Sequence, residues 1–328
     1  MARIISYCRV GADRFAVDLA QVAGIEGTDL LQRTPGEAGG DRATAEVGWL
    51  LGAHEDLPVH SLARLLGRPD AERAPRGSGV VLVVAGLRGG PRGVLVDSIE
   101  HSEQPPEAIH PLPRVFSRLG GAAAFGGVVQ RMGALSLLVE LGALVVGEKV
   151  GGGPDQDLKD GKDIKNNAEL SDEASVRPAS RVLIADLLAR SAEGHPVSIA
   201  LAAGQVAEVI AASPVVPVPG TPADLPGMIL WRDSPLPVLD LARGLSGAGR
   251  LVASDMPAAR FVVAAAGPFH VAIPVGREVR FERLPLPARP IPLPPGLADS
   301  EVLGAYDFAG TLLLVFDVSR SLARTDRP

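Results

Sequence analysis

The chain has 328 residues, enough for two domains of ordinary size; 46% of them are hydrophobic but only 4% aromatic, so its cores must be built from Val, Leu, Ile and Ala. A net charge of −6 without a basic block argues against non-specific nucleic-acid binding, which draws its affinity from clustered Lys and Arg on phosphates. The single cysteine, Cys8, excludes an intrachain disulfide and a cysteine-based metal site, no apolar run is long enough to span a membrane, and MARIISYCRV lacks the marks of a secretory peptide, so the expectation is a soluble cytoplasmic protein.

Residues 7–10, the turn-forming Gly11-Ala12-Asp13-Arg14 and residues 15–19 read as a β-hairpin. Its second strand alternates, which predicts that Phe15, Val17 and Leu19 face inward. Residues 27–46, rich in Gly, Thr and Glu, read as a loop. Residues 48–67 follow, GWLLGAHEDLPVHSLARLLG. Gly48, like Gly227 later in the chain, marks a place where the backbone turns or approaches another strand closely. Leu57-Pro58-Val59 opens a strand, since proline is tolerated at a strand's start or edge. Ser61 is placed to cap a short helix from Leu62, and Gly67 to end it. The apolar run 80–85 and residues 93–99 form a further hairpin. A proline-rich path from Pro105 to Pro113 suggests an extended connection. Residues 135–141 then read as a strand, followed by a short helix over 142–145.

Residues 148–180 hold all four lysines and both asparagines of the chain and few large apolar side chains. Such a segment cannot bury enough surface to offset the entropy of ordering, so it reads as a flexible linker, with a weak helical signal over 168–175.

Beyond the linker the pattern returns. Val197-Ser198-Ile199-Ala200-Leu201 alternates like residues 15–19, and Gln205-Val206-Ala207 repeats Gln21-Val22-Ala23. Residues 227–246, GMILWRDSPLPVLDLARGLS, align without a gap to 48–67 at a constant offset of 179, with nine of twenty positions identical. That density of identity indicates an internal duplication. Asp240 stands where Ser61 caps the helix. Residues 261–266 and 270–275 repeat the second hairpin, 284–296 the proline-rich path, and 312–318 with 319–323 the closing strand and helix. Many short strands, many turns and little helix indicate an all-β class built from small barrels.

This order of features resembles the CheW-like domain of bacterial chemotaxis coupling proteins. The family pattern around the shared stretch is similar to G-x-x-N-L-R-G-x-x-x-P-V-x-D-L. The second copy keeps Gly227, Arg232, Pro237-Val238 and Asp240-Leu241 but lacks the asparagine and the second glycine. The first copy has Ala53 for the arginine and Ser61 for the aspartate, yet keeps Val94-Leu95-Val96-Asp97 where the second has Ile273-Pro274-Val275-Gly276. The resemblance implies two tandem domains, over 1–147 and 181–328, each of two SH3-like five-stranded barrels with short helices. It also implies a non-catalytic adaptor that couples chemoreceptor signalling tips to the regulatory domain of a CheA-type histidine kinase. The alternative is a duplicated interaction scaffold of another signalling or motility pathway.

No catalytic constellation, cofactor motif or metal-ligand spacing is legible. The six histidines are scattered, no GxSxG or GxxxxGK[ST] order occurs, and Cys8 on a strand reads as a buried, inert thiol. The candidate protein-contact residues lie in the repeated stretch. Trp231-Arg232-Asp233 precede Leu236, and Trp and Arg carry much of the energy of protein interfaces. The competing reading is a tryptophan that caps the barrel core beside a solvated arginine. Met228 completes the set in the second copy, with Trp49 and His54 in the first, although Trp49 reads as core because Leu50 and Leu51 flank it. Arg64 and Arg243, at equal helix positions, read as structural.

Overall fold

The computed structural model describes residues 4–33, 45–51, 56–68, 79–85, 87, 90–100, 105–117, 122–146, 181–191, 194–246, 251–254, 257–266, 269–283, 288–293 and 302–318. The segment 148–180, expected to be a linker, and the expected helix over 319–323 lie outside these residues. Two compact units partition the chain. The first is Met1–Gly151 with Pro214–Pro222 and Pro226–Leu236; the second is Gly152–Ser213, Ala223–Leu225 and Pro237–Pro328.

The fold is all-β. In the first copy β1 (Ile5–Val10), β2 (Asp13–Asp18), β3 (Val22–Gly27), β4 (Leu31–Arg33), β5 (Glu46–Leu50) and β6 (Leu57–Ser61) are followed by β7 (Val80–Val84), β8 (Arg92–Val96), β9 (Ser98–Glu100), β10 (Ala108–His110), β11 (Phe125–Arg131) and β12 (Ala134–Val139). They form two sheets, ordered β10-β11-β12-β2-β1-β9 and β3-β7-β8-β6-β5-β4. β8 and β9 are one run of chain that passes from the second sheet to the first, bending at Asp97.

Local chemistry explains the elements. Gly11, at φ 60°, closes the β1–β2 hairpin, and its N–H donates to the Asp97 carboxylate at 2.6 Å. Phe15, Ala16, Val17 and Asp18 are all buried while Leu19 is only half-buried, so β2 is covered on both faces and the expected alternation does not hold. Asp18 accepts from the Ala20 N–H at 3.0 Å and caps a 3-10 turn over Leu19–Gln21. The stretch read as a loop over 27–46 contains a 3-10 turn, Thr28–Leu30, and β4. Gly48 sits at a bulge between β5 and β6. Ser61 caps α1 (Leu62–Leu65) by accepting from the Arg64 N–H at 3.4 Å, and Gly67, at φ 70°, ends it. The proline-rich path holds β10 and a single helical turn, α2 (Arg114–Ser117), so it is not purely extended. α3 (Leu141–Val145) closes the copy.

The second copy contains β13 (Arg181–Ser191), β14 (Pro196–Ala202), β15 (Val206–Ala211), β16 (Val216–Pro217), β17 (Gly227–Trp231), β18 (Ser234–Val238), α4 (Leu241–Ser246), β19 (Leu251–Ala253), β20 (Arg260–Ala266), β21 (Phe269–Arg283), β22 (Arg289–Ile291), β23 (Val302–Phe308) and β24 (Thr311–Phe316). β21 corresponds to β8 and β9, yet it runs unbroken for 15 residues. Its first half pairs with β20 and its second half with β13, which joins the strands into one twelve-stranded sheet among the described residues. Gly276 stands at the position of Asp97, and a Cβ built there would come 3.1 Å from the Asp186 Cβ. The strand read as ending at Val275 therefore continues, because a residue without a side chain lets the extended backbone pass close to β13.

The two copies carry matching apolar clusters: Ile5, Tyr7, Ala16, Val129 and Leu138 in the first, Val182, Ile184, Ala200 and Leu313 in the second. Cys8 is fully buried, and burial pushes its thiol pKa up to about 12.

A candidate protein-contact site on the Trp231 hairpin

β17 and β18 are adjacent strands joined by Arg232 and Asp233, at φ 48° and 57°. Left-handed backbone at both central residues is the primed turn whose twist matches a two-residue hairpin. Asp tolerates this conformation better than most residues, which accounts for its standing where the family pattern has glycine. Arg232 is the costly member. Its guanidinium carbon lies 4.7 Å from the centroid of the Trp231 ring, a cation–π stack that holds the two side chains together. Trp231 is half-buried, while Arg232 and Asp233 are exposed. The tryptophan thus both borders the core and presents a face to solvent, and Arg232 lies against it.

Two features position this turn. A Cβ built on Gly227 would fall on the Val216 carbonyl oxygen, so glycine lets β17 approach β16 closely. Within the first compact unit, the Gln130 side chain donates to the Asp233 carboxylate at 3.5 Å and pairs with the His110 ring at 2.9 Å. Nothing in the sequence connects Gln130 to Asp233, 103 positions apart. At the other end of β18, Asp240 accepts from the Arg243 N–H at 3.1 Å and caps α4. Burial holds the Asp240 carboxyl above its usual range; the Arg243 N–H and guanidinium oppose this and Asp224 adds to it. The Arg243 guanidinium lies 3.4 Å from the same carboxylate, consistent with a structural role.

The other candidates separate. Met228 is fully buried and presents no surface. His54 lies outside the described residues. Trp49 is 42% exposed, so its reading as core is overturned. In a strand successive side chains point to opposite faces, and because Leu50 points inward, Trp49 points out. Exposed Leu30, in the stretch read as loop, is a surface residue the sequence reading missed; its only signal was an apolar residue beside the exposed Asp29.

A shallow cleft of about 330 Å³ in the second unit is lined by Ser191, His195, Asp307 and Thr311, among others. The Ser191 hydroxyl accepts from the His195 backbone N–H at 3.2 Å, and Asp307 accepts from the Gly310 N–H at 3.0 Å. Both side chains serve local turns, and no nucleophile–base pair is formed there. Among the described residues no group of three or more His, Cys, Asp and Glu could hold a metal ion, and no helix is long and apolar enough to cross a membrane.

A family model described as the CheW-like domain matches residues 6–148 and again residues 187–326, one match on each copy of the repeat. No curated protein matches. Among solved structures, the crystal structure of the scaffolding protein TtCheW from Thermoanaerobacter tengcongensis is similar over 44% of this chain and 92% of its own, with 18% identity and a TM-score of 0.36.

Proposed function

Because this chain belongs to the CheW-like domain family, we propose that it is a non-catalytic cytoplasmic adaptor that couples chemoreceptor signalling tips to the regulatory domain of a CheA-type histidine kinase. The observation that carries the reading is the Trp231–Arg232 stack on the β17–β18 turn. It pairs an amphipathic ring with a cation on a backbone whose conformation is set by the hairpin, the composition of an interface anchor. Two modules, 1–147 and 181–328, joined by 148–180, give a second binding event the advantage of raised effective concentration. The second module, with Arg232 and Asp240, is the better match to the family pattern. The first, with Ser61 as its cap, is the divergent one.

The test is a titration of the full chain against the kinase regulatory domain and against receptor-tip fragments. Binding that weakens on Trp231→Ala and on Arg232→Ala supports both the function and the site. Binding that both variants keep moves the site elsewhere. Failure of the full chain to bind either partner overturns the coupling reading and leaves a duplicated scaffold of another signalling or motility pathway.

A further inference from the structure

Two hairpin tips adjoin within the first compact unit. One is the β17–β18 turn, with Arg232 and Asp233 at φ 48° and 57°; the other is the β11–β12 turn, with Met132 and Gly133 at φ 50° and 71°. Both are two-residue turns of the primed kind, with left-handed backbone at each central residue. Gln130 joins them. It precedes the Arg131–Ala134 pair that closes the β11–β12 turn, is 6% exposed, and donates to the Asp233 carboxylate at 3.5 Å while its oxygen pairs with the His110 ring at 2.9 Å. Glu107 ties the same tip to β10. Its carboxylate accepts from the Met132 N–H at 2.7 Å, and its own N–H donates to the Gln130 carbonyl at 3.0 Å.

The turn does not require a methionine. Between β23 and β24 the second copy has Ala309-Gly310, at φ 52° and 79°, where the first copy has Met132-Gly133 between β11 and β12. Left-handed backbone disfavours every residue with a Cβ, and alanine meets the same demand without a long side chain. Met132 is 79% exposed, so packing does not account for it either. Backbone strain kept for the sake of an exposed apolar side chain points to a function of that side chain. The flexible, polarizable thioether of methionine suits a contact surface that adapts to its partner. Arg232 repeats the pattern on the other tip, a large side chain on left-handed backbone, stacked on Trp231.

We propose that the two tips form one contact surface, in which Met132 is a second anchor beside the Trp231–Arg232 stack and Gln130 is the positioning residue that fixes one tip against the other. The surface takes a protein partner whose apolar patch spans both tips, so that one docking event touches both copies of the repeat. Neither copy carries the whole surface by itself. The second copy's own β23–β24 tip has Ala309 in place of Met132, and the first copy has Gly52-Ala53 in place of Trp231-Arg232. The partner is identified through the coupling reading, on which this inference rests, as the protein that docks on Trp231.

The experiment titrates the full chain against the kinase regulatory domain and receptor-tip fragments, and follows the urea midpoint of each variant. Met132→Gly gives the turn the residue its backbone favours. Stability is expected to hold or rise, while affinity for the partner that Trp231→Ala weakens is expected to fall at least about fivefold, the loss that marks an interface anchor. Gln130→Glu sets a second carboxylate against that of Asp233 and is expected to weaken the same binding. Asp233→Asn in the same chain exchanges donor and acceptor, and the double variant is expected to bind at least as well as Asp233→Asn alone. Loss of packing around a buried amide would give no such recovery. Met132→Gly with wild-type affinity overturns the proposal, and because Met132 is exposed this arm decides even where Gln130→Glu disturbs the fold. Gln130→Glu with wild-type affinity, or a double variant as weak as Gln130→Glu, overturns the positioning role. In each of these cases the coupling reading stands while Trp231→Ala still weakens binding. A full chain that binds neither partner overturns both.

Discussion

Arg232 stacks over Trp231 at 4.7 Å while its own backbone is held at φ 48°. The two facts oppose each other in stability. Left-handed backbone costs a residue with a Cβ about 1–2 kcal/mol, and an exposed cation–π contact returns about 0.5–1 kcal/mol. Glycine at 232 removes the strain and loses the stack, and it adds an entropic cost of about 0.4–1 kcal/mol through the unfolded chain. These terms nearly cancel, so Arg232→Gly is expected to move the urea midpoint little. Partner binding is expected to fall at least about fivefold, the equivalent of ~1 kcal/mol for an interface anchor. A variant that loses stability and binding together would make Arg232 a structural residue.

Asp240 sets a pH dependence whose sign follows from its burial. Its folded pKa is raised, so between the ordinary aspartate value and the raised one the folded state holds more protons than the unfolded state. The contribution of Asp240 is therefore fullest at acid pH and is lost as pH rises through the folded value. Asn keeps an oxygen for the Arg243 N–H and has no charge to bury. Asp240→Asn is expected to melt higher than wild type at neutral pH, with the gap closing on acidification. A gap that widens in acid would mean that the ion pair with Arg243 outweighs the burial.

His60, on β6, behaves in the opposite sense. Burial lowers its pKa, Glu46 works against the shift and Arg92 adds to it. The unfolded state then binds the proton first as pH falls, and the stability held by neutral His60 is lost as pH drops through the ordinary histidine range toward the lowered folded value. His60→Gln is expected to flatten the melting temperature across that window. An unchanged slope would assign the acid sensitivity to other groups.

The parts of the fold governed by local chemistry were legible in the sequence. Ser61 and Asp240 announced their helices because a cap needs only a short polar side chain and a following apolar turn. Gly227 announced a close approach because no other residue fits beneath the Val216 carbonyl. What failed depended on distant chain. β13 pairs with its neighbour β14 but also with β19 and β21 far along the chain, and its run VLIADLLARS carries no period that separates strand from helix. Trp49 was misplaced because apolar neighbours in sequence take opposite faces in a strand. In the candidate site, the Trp231–Arg232 pair was visible as composition, whereas its support from Gln130 required the folded chain.

Gly227 offers a direct test of that close approach. Alanine there must displace β16 or tilt β17, and overpacking of this kind costs about 1–3 kcal/mol. Gly227→Ala is expected to lower the unfolding free energy by that amount, read as a lower denaturant midpoint at unchanged slope, and to weaken binding through the misplaced turn. Full stability with alanine would show that β16 moves freely, and the rigidity argued for the Trp231 hairpin would fail.

Cys8 reports on the first unit from its centre. It pairs with Phe15 on one side and Ile99 on the other, is fully buried, and holds its proton with a pKa of about 12. Only the thiolate attacks a disulfide reagent, and at pH 8 it amounts to roughly one part in ten thousand. Native protein is therefore expected to resist a thiol-reactive dye, and labelling is expected to rise with urea in step with the loss of β-sheet signal. Stoichiometric labelling of native protein within minutes would mean that the β1–β2 hairpin opens on its own. Cys8→Ala should be nearly silent in such a core. Cys8→Ser should cost about 1–3 kcal/mol where the buried hydroxyl finds no partner, so that the difference between the two variants measures how dry the sheet interior is.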